Sequence, residues 1–458
     1  MTKPNIIYIF GDQWRAQATG YAGDPNVQTP NIDRLAGESI NLRNAVSTCP
    51  LCTAYRGSLL TGQYALTHGL FVNDVPLDPG GTTLGKIFAQ NGYDTAWIGK
   101  WHVDGHGRDT YIPPERHQGF DYWRALECTH DYNRSYYYAD ASDEMRQWEC
   151  YDAFAQTREA EAYIRAHARD GNPEKPFLLV LSWGPPHNPY GTAPEEYRRL
   201  YHGDELQLRP NVRFPLRMFV GHALAGYYAH CTALDACLGD LMATVEAAGI
   251  ADNTIFIFTS DHGDAVGSQG ITNKQAPWDE SVCVPFLLRY PARFGRTPAV
   301  IDTPIGTPDI LPTLLGLCDL PIPDTVEGLD FSGHLAGGVA PSDGAALIEC
   351  IHPIADWWHG LGGKEYRGMR TARYTYARAL EGPWLLYDNV RDPYQLENLV
   401  DNPEHAALVR ELDAVLQRKL DALGDEFLPG LAYCEERGYP LDERETVIIP
   451  PSVLSGRA

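Results

Sequence analysis

Short apolar runs alternate with amphipathic stretches along most of the chain. Runs that end in Gly, Pro or Asp are typical of strands buried on both faces of a parallel sheet. We predict such strands at residues 5–11, 93–99, 176–183 and 254–260. Capping residues, or apolar residues spaced by three and four, predict helices at residues 29–35, 82–91, 153–168 and 224–241.

This alternation of strands and helices predicts an α/β fold with a large mixed, mostly parallel sheet flanked by helices. The composition changes through Gly337-Gly338 and residues 341–344, which are typical of a linker. We therefore predict a catalytic domain at residues 1–340 and a C-terminal subdomain at residues 341–458. The subdomain is expected to be α+β, with an antiparallel sheet that includes residues 345–350 and 370–378, and a helix at 406–423.

The bulk composition is that of a folded globular protein, with 458 residues of which 44% are hydrophobic and 21% charged. A net charge of −23 without any basic run argues against a nucleic acid partner, although not against a small anionic substrate. No apolar stretch is long enough to span a membrane. If Met1 is the natural start we expect a cytoplasmic protein with reduced cysteines, whereas a removed leader would indicate a periplasmic or secreted one.

Polar residues of catalytic type follow the predicted strands. They are Asp12 and Gln13, Lys100 and His102, His187, and Asp261 and His262. Because the carboxyl ends of parallel strands meet at one edge of a sheet, we expect these side chains to share one pocket. Taken alone, Asp12 is as typical of a turn as of a functional site. Lys100 and His102 are two residues apart, so we predict that they share one face of an extended segment.

Cys52 is the most distinctive candidate, because Cys49 precedes it by three residues and Arg56 follows it by four. A Cys-x-x-Cys pair indicates a redox dithiol or half of a zinc site, yet no second such pair follows. Considered by itself, Cys52 fits an ordinary buried thiol as well as a reactive one.

Residues 121–149 form an aromatic and irregular stretch, which suits either a carbohydrate-contacting wall or a packed surface loop. Trp357 and Trp358 in the predicted subdomain also suit stacking on sugar rings.

Together, two carboxylates, a carboxamide and an imidazole predict a divalent metal site. Arg56, Lys100 and Lys274 add positive charge around it. That combination suits a tetrahedral oxyanion such as sulfate or phosphate.

Several motifs in order resemble those of the type I sulfatases, members of the alkaline phosphatase superfamily. Cys52-x-Ala54-x-Arg56, with Thr61-Gly62 closing the helix, is similar to the family signature. Further matches are residues 99–102 (Gly-Lys-Trp-His), 186–189 (Pro-His-Asn-Pro) and 260–263 (Ser-Asp-His-Gly), with Lys274 beyond them. The resemblance implies an alkaline-phosphatase-like fold.

The resemblance also implies that Cys52 is oxidised to formylglycine by a formylglycine-generating enzyme or maturase. The hydrated aldehyde would then attack sulfur. One divalent cation would be held by Asp12, Gln13, Cys52, Asp261 and His262. Ca²⁺ is the usual ion of the family, whereas an imidazole ligand would favour Mn²⁺.

Roles for the remaining candidates follow from the same resemblance. Arg56, Lys100 and Lys274 would hold the sulfate oxygens, and His187 or Lys274 would protonate the leaving alcohol. His102 would take a proton from the remaining hydroxyl to release sulfate.

We therefore predict a sulfuric ester hydrolase that acts on a small or oligosaccharide sulfate ester, with a sulfated carbohydrate as the expected substrate. An arylsulfatase or a phosphonate monoester or phosphodiester hydrolase is the alternative, since residues 12–15 (Asp-Gln-Trp-Arg) also resemble the phosphonate monoester hydrolases and choline sulfatases of the same superfamily. Ala54, where the family usually has proline, leaves open a binding protein with an unmodified Cys52. No sequence feature indicates an oligomeric state.

Overall fold

A computed structural model describes residues 3–169, 175–214 and 216–452 of the chain. The strands are β1 (Asn5–Asp12), β2 (Ile40–Leu42), β3 (Ala45–Val46), β4 (Asp94–Lys100), β5 (Tyr122–Leu126), β6 (Tyr136–Ala139), β7 (Arg146–Gln147), β8 (Phe177–Pro186), β9 (Thr254–Ser260), β10 (Phe286–Arg289), β11 (Ala299–Ile301), β12 (Ile305–Gly306), β13 (Ala345–Cys350), β14 (Tyr366–Thr371), β15 (Tyr374–Ala379) and β16 (Gly382–Asp388). The α-helices are α1 (Pro30–Ala36), α2 (Cys52–Thr61), α3 (Ala65–His68), α4 (Leu84–Gln90), α5 (Asp152–Arg169), α6 (Glu195–Arg198), α7 (Arg217–Ala247), α8 (Asp279–Val282), α9 (Pro291–Phe294), α10 (Ile310–Leu317), α11 (Ser332–Leu335), α12 (Ala406–Leu423) and α13 (Gly430–Arg437).

A ten-stranded sheet forms the centre of the molecule, in the order β11-β2-β10-β9-β1-β8-β4-β5-β6-β7. The five central strands, from β9 to β5, are mutually parallel. Antiparallel pairs occur towards both edges, as between β9 and β10 and between β5 and β6. The carboxyl ends of β1, β4, β8 and β9 therefore meet at one edge of the sheet, where open α/β sheets bind their ligands.

Both faces of the central sheet are buried because each central strand is apolar on both sides. In β1, Tyr8 and Phe10 pack into a cluster that includes residues of α2, α4 and α10. Ile7 and Ile9 point the opposite way, into a second cluster with residues of α5 and α7. Successive side chains alternate across the sheet, so a continuous apolar run serves two layers of helices.

The C-terminal unit is a four-stranded antiparallel sheet in the order β13-β14-β15-β16. Helix α12 covers one face through an apolar stripe that includes Leu416 and Leu420. The other face packs against the larger unit, where Val282 and Ile348 share one buried cluster. The predicted α/β fold with an antiparallel C-terminal sheet is confirmed.

Individual elements differ from the predictions in three places. Residues 370–378, predicted as one strand, include the end of β14, a turn and most of β15. The stretch 121–149 is not irregular throughout, because β5, β6 and β7 extend the main sheet there. His102 has a left-handed backbone with φ of 59°, so Lys100 and His102 do not share an extended segment.

Among the residues that the structure describes, no helix combines the length and apolarity needed to cross a membrane. All ten cysteines lie within the described ranges, and none of them forms a disulfide there.

Candidate active site

Two aspartates meet where β1 and β9 end side by side. Asp12 is the last residue of β1, and Asp261 directly follows β9, its parallel neighbour. The Oδ1 atom of Asp261 accepts hydrogen bonds from the backbone amides of Gln13 and His262, each at 2.9 Å. Gln13 has a φ of 72°, a left-handed backbone that turns the chain away from the sheet. Both carboxylates are fully buried.

Cys52 lies at the first turn of α2, which points its amino end at these carboxylates. The Sγ atom is 3.2 Å from Nε2 of His262, 3.6 Å from Oδ1 of Asp12 and 3.1 Å from Nζ of Lys274. The helix can end cleanly because Gly62 at its C-terminus has a φ of 68°. Cys52 is therefore the point at which the acidic and basic groups of the pocket meet.

Two cations, Lys100 and Arg56, lie against the two carboxylates. Lys100, the last residue of β4, places Nζ 2.5 Å from Oδ2 of Asp12. Arg56 lies one turn into α2, and its Nη2 is 3.6 Å from Asp12 and 3.5 Å from Asp261. The guanidinium is held by Nη1, which donates to the carbonyl of Lys100 at 2.7 Å and to Ser182 at 2.8 Å.

Lys274 and His187 form a contact on the opposite side of Cys52. The Nζ of Lys274 is 2.9 Å from Nε2 of His187 and donates to Oε1 of Gln13 at 2.9 Å. His187 follows β8, and its ring stacks on that of His130 with centroids 4.5 Å apart. The side-chain amide of Gln13 is held in this orientation by Asp264, to which its Nε2 donates a hydrogen bond of 2.7 Å.

His102 completes the pocket from the loop after β4. Its Nε2 is 3.3 Å from Oδ1 of Asp74, which Arg108 binds through two hydrogen bonds of 2.9 and 2.8 Å. Its Nδ1 is buried and has no hydrogen-bond partner among the described residues. With a proton on Nε2, His102 presents Nδ1 as a free base.

The charges shift the acidity of the groups in the pocket. Burial and Asp12 raise the pKa of the Cys52 thiol, but Lys100, Lys274 and His102 outweigh them and bring it down to about 6. Burial opposes ionisation of Asp12, yet Lys100 and other cations hold its pKa well below the usual range. Burial and the neighbouring Asp12 raise the pKa of Asp261 to about 6.

The imidazoles of His262 and His187 are neutral at pH 7. Burial lowers the pKa of His262 to about 4, with Lys274 adding to the effect. Burial and Lys274 hold the pKa of His187 well below its usual value. A neutral imidazole is the form that binds a metal or accepts a proton.

The donor atoms of the pocket fit a divalent cation. One ligand atom from each of Asp12, Cys52, Asp261 and His262 lies within 4.8 Å of the others. The Oδ2 atom of Asp261 is buried and has no hydrogen-bond partner among the described residues. An unsatisfied buried carboxylate oxygen in such a cluster is a natural ligand for a cation.

The structure thus brings every predicted site residue into one pocket. Sequence reasoning missed the residues behind them, which are Asp74, Arg108, His130, Ser182 and Asp264. Asp264 follows His262 by two residues and was signalled by that motif. Asp74 and Arg108 lie in loops, and no local pattern marks them.

A sulfatase family model matches residues 4–320, and a model of the N-sulphoglucosamine sulphohydrolase C-terminal region matches residues 267–422. The chain belongs to the sulfatase family. The predicted recognition and enzyme class are therefore confirmed, and this sulfatase is a sulfuric ester hydrolase. Sulfatases use a metal and formylglycine, and the pocket of this sulfatase contains a group of residues able to hold a metal.

Relatives cover the sulfatase almost from end to end. It is 46% identical to an ulvan-active sulfatase of Formosa agariphila over 98% of this chain and 87% of that protein. It is 34% identical to an endo-4-O-sulfatase of Bacteroides thetaiotaomicron, over 90% of this chain and 92% of that one. A solved Bacteroides thetaiotaomicron structure, from a locus for metabolism of multiple glycosaminoglycans, superposes with a TM-score of 0.82 at 32% identity and covers 95% of this chain and 98% of its own.

Proposed function

We propose that this sulfatase removes sulfate from a carbohydrate sulfate monoester, with Cys52 as the precursor of the nucleophile. The observation that carries the proposal is the position of Cys52, with Lys274 at 3.1 Å, His262 at 3.2 Å and Asp12 at 3.6 Å. Relatives named for ulvan and for 4-O-sulfated substrates support a sugar as the alcohol.

Asp12, Asp261, His262 and residue 52, with the carboxamide of Gln13 beside them, would hold the metal, and Ca²⁺ is our proposal for the ion. The metal would supply positive charge that favours an ionised nucleophile and balances the sulfate oxygens. Formylglycine at position 52 would supply a hydrated aldehyde, which has two hydroxyls where serine has one. Cys52 itself stands at this position in the structure.

The cations have separate tasks in this proposal. Lys100 and Lys274 face Cys52 and bind sulfate oxygens as charge develops on them. Arg56 lies deeper, beside both carboxylates and with its side chain fully buried. Together with Lys100 it neutralises these carboxylates, so that the pocket keeps positive charge that attracts the anionic substrate.

Proton transfer is assigned to Lys274 with His187 for the leaving alcohol and to His102 for the release of sulfate. Lys274 gives a proton of its ammonium group to the leaving oxygen, and the neutral imidazole of His187, 2.9 Å away, holds that ammonium group in position. His102 accepts a proton at Nδ1 when sulfate is released, since Nε2 is directed at Asp74.

A turnover screen tests the proposed function. Protein co-produced with a formylglycine-generating enzyme is offered ulvan oligosaccharides, chondroitin 4-sulfate, 4-nitrophenyl sulfate and an aryl phosphonate, with Cys52→Ala as the blank. We expect sulfate release from a sugar to have the highest kcat/KM, and the mass of the Cys52 peptide to show the aldehyde. Preferential cleavage of the phosphonate, or an unmodified thiol without hydrolysis, would contradict the proposal.

A further inference from the structure

A cavity of about 320 Å³ lies beside the pocket of Cys52. Its walls come from the loop after β4, the segment from the end of β5 to the start of β6, and the C-terminal residues near Pro450. The volume falls at the lower end of the range of about 300 to 1,000 Å³ for small-molecule sites. The residues of the cavity that matter here are Arg108, Thr129, Asp131, Arg134 and Tyr136.

The cavity shares walls with the catalytic pocket on two sides. On one side, Arg108 lines the cavity and also binds Asp74, the partner of His102. On the other side, Thr129 lines the cavity, and the next residue, His130, stacks on His187. The cavity and the pocket of Cys52 are therefore neighbours that are separated by these residues.

The lining has the chemistry of a sugar site rather than of an anion site. Arg108 is already paired with Asp74, and Arg134 faces Asp131 at 3.7 Å, so the two guanidinium charges are matched by carboxylates. Guanidinium, carboxylate and hydroxyl groups offer donors and acceptors suited to ring hydroxyls. Tyr136 adds the aromatic surface that the apolar face of a pyranose requires.

Most other aromatic residues of the 121–149 segment are used in packing. Trp123, Tyr132 and Tyr138 are buried, and Tyr137 stacks on Trp148 at 3.9 Å. Tyr136 is half-buried and lines the cavity. The aromatic segment is therefore a packed layer for most of its length and a ligand wall only near Tyr136.

We propose that this cavity is a subsite for the sugar unit next to the sulfated one, so that the enzyme acts on oligosaccharides in preference to monosaccharides. The inference rests on the proposed carbohydrate sulfatase function. Arg134 and Tyr136 are assigned to the neighbouring sugar, whereas the sulfate itself is bound in the pocket of Cys52.

Matched substrates and variants test the subsite. The probes are ulvan oligosaccharides with the sulfated monosaccharide of ulvan, a corresponding pair from chondroitin 4-sulfate, and 4-nitrophenyl sulfate. For the wild type we expect kcat/KM on the accepted oligosaccharide to exceed that on its monosaccharide at least about tenfold. Arg134→Ala and Tyr136→Ala are each expected to lower the oligosaccharide-to-aryl ratio of kcat/KM about tenfold, mainly through KM.

Arg146→Ala is the matched control. Arg146 is an exposed arginine in the same segment, also 3.7 Å from an acidic residue, Glu144, and it is not part of the cavity lining. We expect this variant to keep the wild-type ratio. Two results would overturn the subsite alone. One is equal wild-type kcat/KM on the monosaccharide and the oligosaccharide. The other is a loss of kcat/KM in the variants that is equally large on the oligosaccharide, the monosaccharide and 4-nitrophenyl sulfate. Turnover of 4-nitrophenyl sulfate without turnover of any sulfated sugar would instead contradict the proposed function.

Discussion

Asp74 is 7% exposed and receives both Arg108 and His102, although neither its sequence position nor its neighbours mark it as functional. Burial opposes its ionisation, yet the hydrogen bonds from Arg108 and His102 hold its pKa far below the usual range. A carboxylate that remains ionised fixes the proton of His102 on Nε2. Asp74 is therefore a positioning residue for the base that we assign to sulfate release.

Asp74→Asn should lower kcat about 10- to 100-fold with little change in KM, because the amide can no longer fix the reactive tautomer of His102. Steady-state kinetics on 4-nitrophenyl sulfate, together with the melting temperature, measure the effect.

Asp104→Asn is the matched control, since Asp104 is also buried and binds an arginine, Arg116, through two hydrogen bonds. It contacts His106, which is half-exposed and lies outside the pocket of Cys52. An equal loss of kcat in the two variants, or wild-type kcat in Asp74→Asn, would remove the positioning role.

At the scale of elements, helix α5 begins at a buried acid. Burial raises the pKa of Asp152 to about 8, although a hydrogen bond with Ser135 and the helix amides favour its charged form. Between the ordinary value near 4 and about 8, the folded protein keeps a proton that the unfolded chain has lost. The free energy of unfolding therefore falls as pH rises across this window, by up to about 1.4 kcal/mol per pH unit.

Asp152→Asn should remove this contribution, because the amide resembles the protonated acid. We expect the free energy of unfolding, measured by urea denaturation, to fall less in the variant than in the wild type as the pH rises from 5 to 8. Asp143→Asn, at an exposed carboxylate, serves as the control. A variant whose stability changes with pH in parallel with the wild type would contradict the assignment.

The elements differ in how far the sequence determines them. Strands β1 and β9 were predictable almost to the residue, because strands buried on both faces leave uninterrupted apolar runs. The hairpin of β14 and β15 was missed, since its turn at Ala372 and Arg373 lacks Gly, Pro or Asn. Trp357 was expected on a sugar-binding wall, but it packs against Trp278 and Trp384 in the core.

The site residues also differ in how far the sequence determines them. Residues at strand ends or in family motifs were found, since each lies beside a recognisable apolar run or a turn. Asp74 and Arg108 are 34 positions apart and meet only once the chain between them, which includes α4 and β4, has folded. Their partnership depends on tertiary structure, and no periodicity encodes it.

At the scale of the whole molecule, one buried polar contact between the two units centres on Asp279. Asp279, in the large unit, receives Arg370 at 3.1 Å, Gln395 at 3.1 Å and Thr375 at 3.3 Å from the C-terminal unit. An unpaired buried carboxylate is costly, by about 3 to 5 kcal/mol for a broken pair. The boundary predicted near residue 340 thus separates elements that stabilise one another.

A chain truncated to residues 1–340 should accumulate as insoluble or molten protein, because Val282 and Asp279 would lose the sheet that covers them. Near-UV circular dichroism and proteolysis of the truncated and full chains test this expectation. Two separately produced units that are each resistant to protease would show instead that residues 1–340 fold independently.

Metal removal provides a second test on the whole molecule. A divalent ion held by Asp12 and Asp261, as proposed, would stabilise the folded state by mass action, by about 2.7 kcal/mol at 100 times the dissociation constant. We expect EDTA to lower the melting temperature, and added Ca²⁺ to restore it in proportion to the logarithm of its concentration. Asp261→Asn should show a smaller response, whereas equal melting curves with EDTA and with Ca²⁺ would contradict a metal at this site.

The parallel strands that frame Cys52 also set the order of events during synthesis. Strand β1 lies between β8 and β9, which are made about 170 and 250 residues later, and Lys274 follows them. Pairing across such long separations is slow, and here it requires that most of the chain has been synthesised. We therefore expect Cys52, 1% exposed once folded, to stay accessible on the growing chain until β9 is complete. This delay would give the proposed formylglycine-generating enzyme an interval in which to reach the thiol.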